Sequence, residues 1–460
     1  MRRDTLGLAD DSLFVKKIKH TFKAADVDLL SRVHAYTREK LCHGSSTGYK
    51  AADLLFDQDA DATTIADALL APLLWKKLTD IGHVREHFGP DVAIALEDLR
   101  DSFSISTDAQ PRERENTHAL LASIDGIPRK AILYITFRLL ALECAINTCK
   151  TTSRQMAQEA LDLLVPIANR LSLGYLRRRL EDVCFQIIDP QAYENLCAKV
   201  SPIQSKDDKC LEILLAGVNR LLANSGIQGR VQGRTKSLHG IHRKMMRTSK
   251  PLEEIMDRVG LRVIVASVPE CYTVLGLLHT HFKPIPGTFD DYIGLPKDNG
   301  YQSLHTCVYP VREISHKPIE FQVRTELMHI EAEHGTAAHW RYKNEVEAAV
   351  RDQHRTQWME GLIHQHREST SSEAFIERLH RQVFRDHLVV FGNGGRIVRL
   401  AENATVQDYL KIINAHVPQD AIVKVNGRVV DLDCALRDGD SIAVTEDGTA
   451  DCSRFAKVTV

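Results

Sequence analysis

At 460 residues the chain is long enough for about two to four domains, and its 59 basic against 61 acidic residues give a net charge of −2, which confines any nucleotide site to a local cluster. Its ten cysteines contain no C-x-x-C pair, which argues against a zinc ribbon or a disulfide framework and fits a reducing, cytoplasmic compartment. No run of about 18 apolar residues occurs, and no apolar segment follows the opening MRRDTLGLADDSLF, so neither membrane spanning nor secretion is expected.

In chain order, residues 12–198 read as successive amphipathic helices, such as IADALLAPLLWKKL, with apolar residues every three to four positions. Loops are expected at 45–49 and 106–116, and a linker at 201–208. Over 213–343 basic helices alternate with β-branched runs, LRVIVAS, LHTCVYP and IEFQVRT, which predicts an α+β domain with a mixed or antiparallel sheet. A charged helical linker is expected over 344–385. Residues 387–447 then carry strands with Asn-Gly and Asp-Gly turns, beginning with the hairpin HLVVFGNGGRIVRL, and form a small β-rich domain. The fold class is therefore multidomain, α followed by α+β.

Chemistry concentrates in the middle region. In GRTKSLHGIHRKMMRTSK, Lys236, Arg243, Lys244 and Arg247 are spaced to share one cationic helix face that suits a triphosphate, and Arg234 adds a planar guanidinium for phosphate or base. Alone, such a face is ordinary solvated surface. Two carboxylates change the balance, Asp257 at the start of DRVGLRVIV and Glu320 in IEFQVRT, where Glu320, Gln322 and Arg324 form the polar side of an alternating strand. On neighbouring strands the pair suits a magnesium ion, which takes one or two carboxylates and fills its other positions with water and phosphate oxygens. In PGTFDDYIGLPKDNGYQSLHT, Tyr301 offers a flat face to a purine, while Asn299, Gln302 and His305 offer hydrogen bonds.

Six segments in order, GRTK, IHRKM, EEIMDRVGLRV, LPKDNGYQSLHT, IEFQVRT and EHGTAAHW, resemble the synthetase domain of the RelA/SpoT homologue family. The resemblance implies a nucleotidyltransferase-like fold that makes (p)ppGpp from ATP and GDP or GTP. Arg234, Lys236 and Lys244 would then hold ATP, and Asp257 and Glu320 would bind Mg2+ or Mn2+. Tyr301 would stack on guanine, and Glu320 would help deprotonate the 3′-hydroxyl. Asn299 and His305 would lie on the acceptor, with Lys297, Gln322 and Arg324 near the phosphates. Two positions depart from the family. Gly240 stands where serine is usual, removing a phosphate hydrogen bond worth roughly 1 kcal/mol. TFDD resembles the acidic E-x-D-D of synthesis-only members, but Thr288 replaces its glutamate.

The helical region resembles an HD-type hydrolase whose metal ligands are missing. Ala71 and Pro72 stand at the His-Asp pair, Trp75 and Lys76 at the acidic pair, Thr47 near the first histidine, and Phe137 and Ala141 at an aspartate and an asparagine. Alanine, proline and phenylalanine side chains cannot hold a metal. LVPIANRLSLGYLRRRLEDVCF reads as retained scaffold. His329, His334 and His339 are no metal cluster, because steps of five rotate about 140° on a helix. GNGG at 392–395 reads as a hairpin turn. The C-terminal unit resembles a TGS β-grasp domain, which implies ribosome, tRNA or a protein regulator as partner. The expected activity is a stringent-response GTP diphosphokinase with a silent hydrolase domain. The alternatives are a catalytically silent guanine-nucleotide sensor and an RNA-binding regulator, and the oligomeric state stays open.

Overall fold

The computed structural model describes residues 11–41, 46–102, 121, 128–146, 151–249, 251–252, 255, 259–311, 317–335, 346–384, 387–392, 396–401, 404–413, 422–437 and 440–445. The chain divides into two compact units, Met1–Leu379 and His380–Val460. The first contains the helical region and a mixed five-stranded sheet built from β1 (Gly229–Thr235), β2 (Val259–Val265), β3 (Asp290–Asp291), β4 (Leu304–Val308) and β5 (Ile319–Thr325), in the order β1-β2-β5-β4-β3. β2 and β5 run parallel, and the other pairs are antiparallel.

Alternation gives this sheet two unlike faces. One carries Leu261, Val263, Phe321, Val323, Leu304 and Val308, all fully buried against helices Pro190–Asn224 and Val268–His281. Each such side chain contributes roughly 1.5–3 kcal/mol of burial. The other face carries Arg234, Arg262, Glu320, Gln322, Arg324 and His305, aligned by the pairings Arg234↔Gly260, Gly260↔Glu320, Arg262↔Gln322 and His305↔Gln322.

The expected linker at 201–208 is instead the middle of one continuous helix, Pro190–Asn224, which tolerates Pro202 in its interior. The helix persists because its later turns bury Cys210, Leu211, Leu214, Val218 and Leu222 in the sheet core, an apolar gain that outweighs one lost backbone donor. The loop expected at 45–49 is also mostly helix, since Ser46–Phe56 starts at its second residue, and 106–116 lies outside the described residues. The stretch 344–385 holds two helices, Val346–Glu368 and Ser372–Phe384.

In the second unit β6 (His387–Phe391) and β7 (Ile397–Ala401) form the expected hairpin, with 393–395 outside the described residues. A second sheet takes β8 (Ile422–Val425), β9 (Arg428–Val429) and β10 (Ile442–Thr445) in the order β10-β8-β9. Asn426 and Gly427, at φ 51° and 80°, close β8 onto β9, the left-handed pair that an Asn-Gly hairpin turn needs. Helix Val406–Ile412 packs Val406, Tyr409 and Leu410 into that unit's core.

The helical region docks on the sheet through close backbone contacts. Gly335 (φ 54°) ends helix Glu326–His334 so near the turn at Leu171–Ser172 that a Cβ there would lie 2.0 Å from the Leu171 carbonyl oxygen. Gly174 faces the Ala332 carbonyl equally tightly, with a Cβ position 2.4 Å away. Gly335→Ala is therefore expected to destabilise the first unit by about 2–4 kcal/mol, read as a lowered midpoint in urea unfolding; an unchanged midpoint would show that this junction yields freely.

Candidate active site

Glu320 lies at the centre of the polar face. Its Oε1 is 3.3 Å from His305 Nδ1, and its Oε2 is 3.6 Å from the Arg234 guanidinium. Burial would raise the Glu320 carboxyl, but the hydrogen bond and charge of His305, and then the charge of Arg234, bring it down to about 2. On the neighbouring strand Gly260 lies beside it, and a Cβ there would come within 3.1 Å of the Glu320 carbonyl oxygen and in ordinary contact, 3.6 Å, with Oε2. Asp257, its expected partner, lies outside the described residues, two positions before β2.

His305 Nε2 is 2.8 Å from the Tyr301 hydroxyl. Burial would lower the imidazole, but Tyr301 and Glu320 on its two sides hold it above its ordinary value. For Tyr301, burial would raise the phenol, yet the charges of His305, Arg324 and Arg234 bring it to about 8. The Arg324 guanidinium carbon lies 5.9 Å from the Tyr301 ring centroid, and Tyr292 packs edge-on to both Tyr301 and His305.

Polar atoms remain in the floor of this face. Arg262 Nε and Arg324 Nε and Nη1 have no hydrogen-bond partner among the described residues, and Gln322, 1% exposed, lies beside Glu320 and helps hold its carboxyl down. Buried polar atoms without partners cost about 1–3 kcal/mol each, so this floor is built to meet something polar. Cys307 lies on the same face as the register partner of Glu320.

The acceptor-side turn behaves differently from the sequence expectation. Asn299 is not left free for a ligand, because its Oδ1 accepts from Tyr301 N at 3.1 Å and its Nδ2 donates to the Asn169 carbonyl at 3.2 Å. A short turn at Gly300 (φ 80°) lets the carboxamide reach back onto its own loop. Lys297 is exposed, with Nζ 4.5 Å from the Tyr292 ring centroid. Thr288 is also structural, since its hydroxyl donates to the Ile285 carbonyl at 2.7 Å and accepts from Cys307 N at 3.2 Å. Asp290, opposite His305 in the ladder, is exposed.

On the ATP side, helix Leu238–Thr248 starts after an N-cap at Ser237, whose hydroxyl accepts from Gly240 N at 3.1 Å. Lys236 therefore precedes the helix and is not one of its residues, although its side chain lies against Gly240, one turn before Arg243 and Lys244. Arg243 is half exposed and 3.3 Å from the buried Glu181. A Cβ at Gly240 would come within 3.2 Å of the Lys236 side chain, so glycine here gives that lysine room.

The sequence did not single out Arg178, Asp182, Arg262 or Glu333. Asp182 Oδ1 accepts from His239 N at 2.8 Å, and so caps the ATP-side helix from the helical region. The Arg170 guanidinium and the Ser172 hydroxyl donate to the carbonyls of Asp298 and Asn299, both at 2.7 Å. Arg262 was visible as one cation inside an apolar strand run. Of the histidines, His329 meets Arg324 whereas His334 meets Gln58 and Asp59, so the two diverge as expected, and His339 lies outside the described residues.

Residues 233–347 match the region found in RelA / SpoT proteins. Residues 27–174 match an HD domain, and 388–445 match the ThiS family. The chain is 31% identical over 406 residues to a GTP pyrophosphokinase of Haemophilus influenzae, covering 86% of this chain and 54% of that protein. It is 32% identical over 409 residues to a guanosine-3′,5′-bis(diphosphate) 3′-pyrophosphohydrolase of Aquifex aeolicus, covering 88% and 57%. The chain thus spans about half the length of the curated relatives it matches. Among solved structures, small alarmone synthetase 1 of Bacillus subtilis bound to its product pppGpp is 26% identical over 37% of this chain and 96% of that one, with a TM-score of 0.27.

In the HD-matching region Ala71, Pro72, Trp75 and Phe137, at positions expected to have lost metal ligands, are packed against neighbouring side chains. Ala71 and Pro72 are buried within helix Ala62–Trp75, and Gly48 of the neighbouring helix comes so close that a Cβ would lie 3.2 Å from the Pro72 ring. Trp75 and Phe137 meet edge to face with centroids 4.6 Å apart, while Thr47 and Lys76 are exposed and Ala141 is half-buried. Among the described residues no group of three or more His, Cys, Asp or Glu could hold a metal ion.

One turn before Ala71, Asp67 is fully buried, and neither carboxylate oxygen has a hydrogen-bond partner among the described residues. Burial holds its carboxyl well above the usual range, against the opposing charge of Arg129. The folded chain therefore keeps a proton on Asp67 at pH values where the unfolded chain, titrating near about 3.9, has lost it. That contribution is complete below the unfolded value and is lost as pH rises through the folded one. Relative to Asp67→Asn, the wild type should lose melting temperature progressively from pH 5 to pH 8; a constant difference would mean that Asp67 stays ionised.

Proposed function

We propose that this chain is a cytoplasmic (p)ppGpp synthetase of the stringent response, transferring pyrophosphate from ATP to the 3′-hydroxyl of GDP or GTP. The observation that carries the reading is Glu320, an ionised carboxylate set between Arg234 and His305 with Tyr301 one hydrogen bond beyond. The match to the RelA / SpoT region and the relative named GTP pyrophosphokinase point the same way. In the absence of a transmembrane candidate, no described helix is long and apolar enough to cross a membrane.

In this reading the nucleotidyltransferase-like face holds ATP through Arg234, Lys236 and Lys244, with Arg243 steadying the helix through Glu181. Tyr301 stacks on the guanine, and Gln322 and His305 meet the acceptor. Asn299 acts on the acceptor through its loop and Lys297 serves as a cation near the phosphates, whereas Arg324, expected there, is fully buried beside Tyr301 and supports that ring. Glu320 accepts the hydrogen of the 3′-hydroxyl as its oxygen bonds to the β-phosphorus; the bond from that phosphorus to the α–β bridging oxygen breaks and AMP leaves. A transition state of this loose kind asks for alignment and neutralised charge more than for a strong base, which suits a carboxylate as acidic as Glu320.

Glu320, ionised and partly exposed, fits a hard divalent cation, and Asp257 is assigned as its second carboxylate. Magnesium bound there, or manganese, supplies charge neutralisation to the phosphates. The ThiS-like unit is proposed as a TGS module that takes a regulatory partner, such as tRNA on the ribosome or a protein. The helical region is proposed to have no hydrolase activity, because Ala71, Pro72 and Phe137 offer no ligand atoms and the space is packed.

With labelled ATP, GDP and magnesium, the purified chain should form labelled guanosine tetraphosphate, and Glu320→Ala should lower the rate by about 100-fold or more. A folded wild type that binds GDP but transfers nothing, even with ribosomes and tRNA added, would make the protein a silent nucleotide sensor. With guanosine tetraphosphate and manganese, no pyrophosphate should be released above the buffer rate; release that disappears on chelation would restore the hydrolase.

A further inference from the structure

Glu333, on helix Glu326–His334, is 8% exposed and gathers three arginines from three elements. Its Oε2 accepts from Arg178, on helix Gly174–Ile188, and its Oε1 lies 3.0 Å from Arg262 of β2 and 3.3 Å from Arg324 of β5. Arg324 is fully buried, and its guanidinium carbon lies 5.9 Å from the Tyr301 ring centroid. His329, held neutral by burial and by the charges of Arg324 and Arg262, accepts from the same Arg324 nitrogen at 2.8 Å. Without the carboxylate, Arg262 and Arg324 would be two buried like charges on adjacent strands with no anion between them, and Arg324 would lose the anchor that fixes it below Tyr301.

We infer that Glu333 is a positioning residue for the acceptor nucleotide: tied to the helical region by Arg178, it fixes Arg324 beneath Tyr301 and thereby shapes the purine-binding side of the site. The inference rests on the assignment of Tyr301 to the guanine nucleotide. It is local to that side, because the ATP-side helix is held by different groups, Asp182 and Glu181. The helical region, in this view, keeps a structural grip on acceptor binding: Arg178 and the contacts of Arg170 and Ser172 with the 298–299 turn come from one short stretch.

The test is calorimetric binding of GDP and, separately, of a non-hydrolysable ATP analogue to the full chain, comparing wild type with Glu333→Gln, Glu333→Asp and Arg178→Gln. Glu333→Gln should weaken GDP about tenfold or more while changing the ATP analogue less than about threefold. Arg178→Gln, at a partly exposed position and able to fold if Glu333→Gln does not, should show the same selectivity to a smaller extent, and Glu333→Asp should recover part of the loss. Equal GDP affinity in wild type and in the folded Gln variants overturns the inference, and so does an equal weakening of both nucleotides, which marks a general structural defect. Because binding is measured without turnover, a wild type that binds GDP selectively through Glu333 but transfers nothing overturns the synthetase assignment alone.

Discussion

The parallel pairing of β2 with β5 is the constraint on which the rest of the first unit depends. It sets Gly260 beside Glu320 and Arg262 beside Gln322, and places Leu261, Val263, Phe321 and Val323 together on the opposite side. A slip of one residue would drive Glu320 and Arg324 into an apolar core and expose the core residues to solvent, so the burial of one face enforces the chemistry of the other. The charged face is affordable only because its charges are matched: His305 and Arg234 around Glu320, and three arginines around Glu333.

A second layer of control comes from the helical region. Within one short stretch Asn169, Arg170 and Ser172 bind the acceptor-side turn, Arg178 binds Glu333, and Glu181 and Asp182 bind the ATP-side helix. The close backbone approaches at Gly174 and Gly335 leave little freedom in that junction. The same segment thus holds the neighbouring sheet in place from within the region that borders the HD match.

Much of the site was legible because chemistry-bearing residues occur at strand periodicity. Glu320, Gln322 and Arg324 announce one polar face, and the Tyr301 to His305 spacing brings a phenol to an imidazole. The errors have particular causes. Lys236 was placed on a helix that begins two residues later, since spacing alone does not reveal a Ser237 cap. Asn299 was read as a ligand group, whereas its carboxamide is shared between Tyr301 N and the Asn169 carbonyl of the helical region, a contact no local pattern reveals. Residues 201–208 were read as a linker although tertiary burial carries one helix through them, Pro202 included.

The sequence by itself determined the helical character of the first region, the strands of the sheet and their polar positions, and that Ala71, Pro72 and Phe137 cannot ligate a metal, because these follow from periodicity and side-chain chemistry. Only the tertiary structure decided that Glu333 joins Arg178, Arg262 and Arg324, that Asp182 caps a helix 57 residues further along the chain, and that Thr288 bonds backbone instead of facing the site. Such partnerships depend on which elements pack together and in which register, and residues brought together from separate elements leave no local pattern from which their contact can be read.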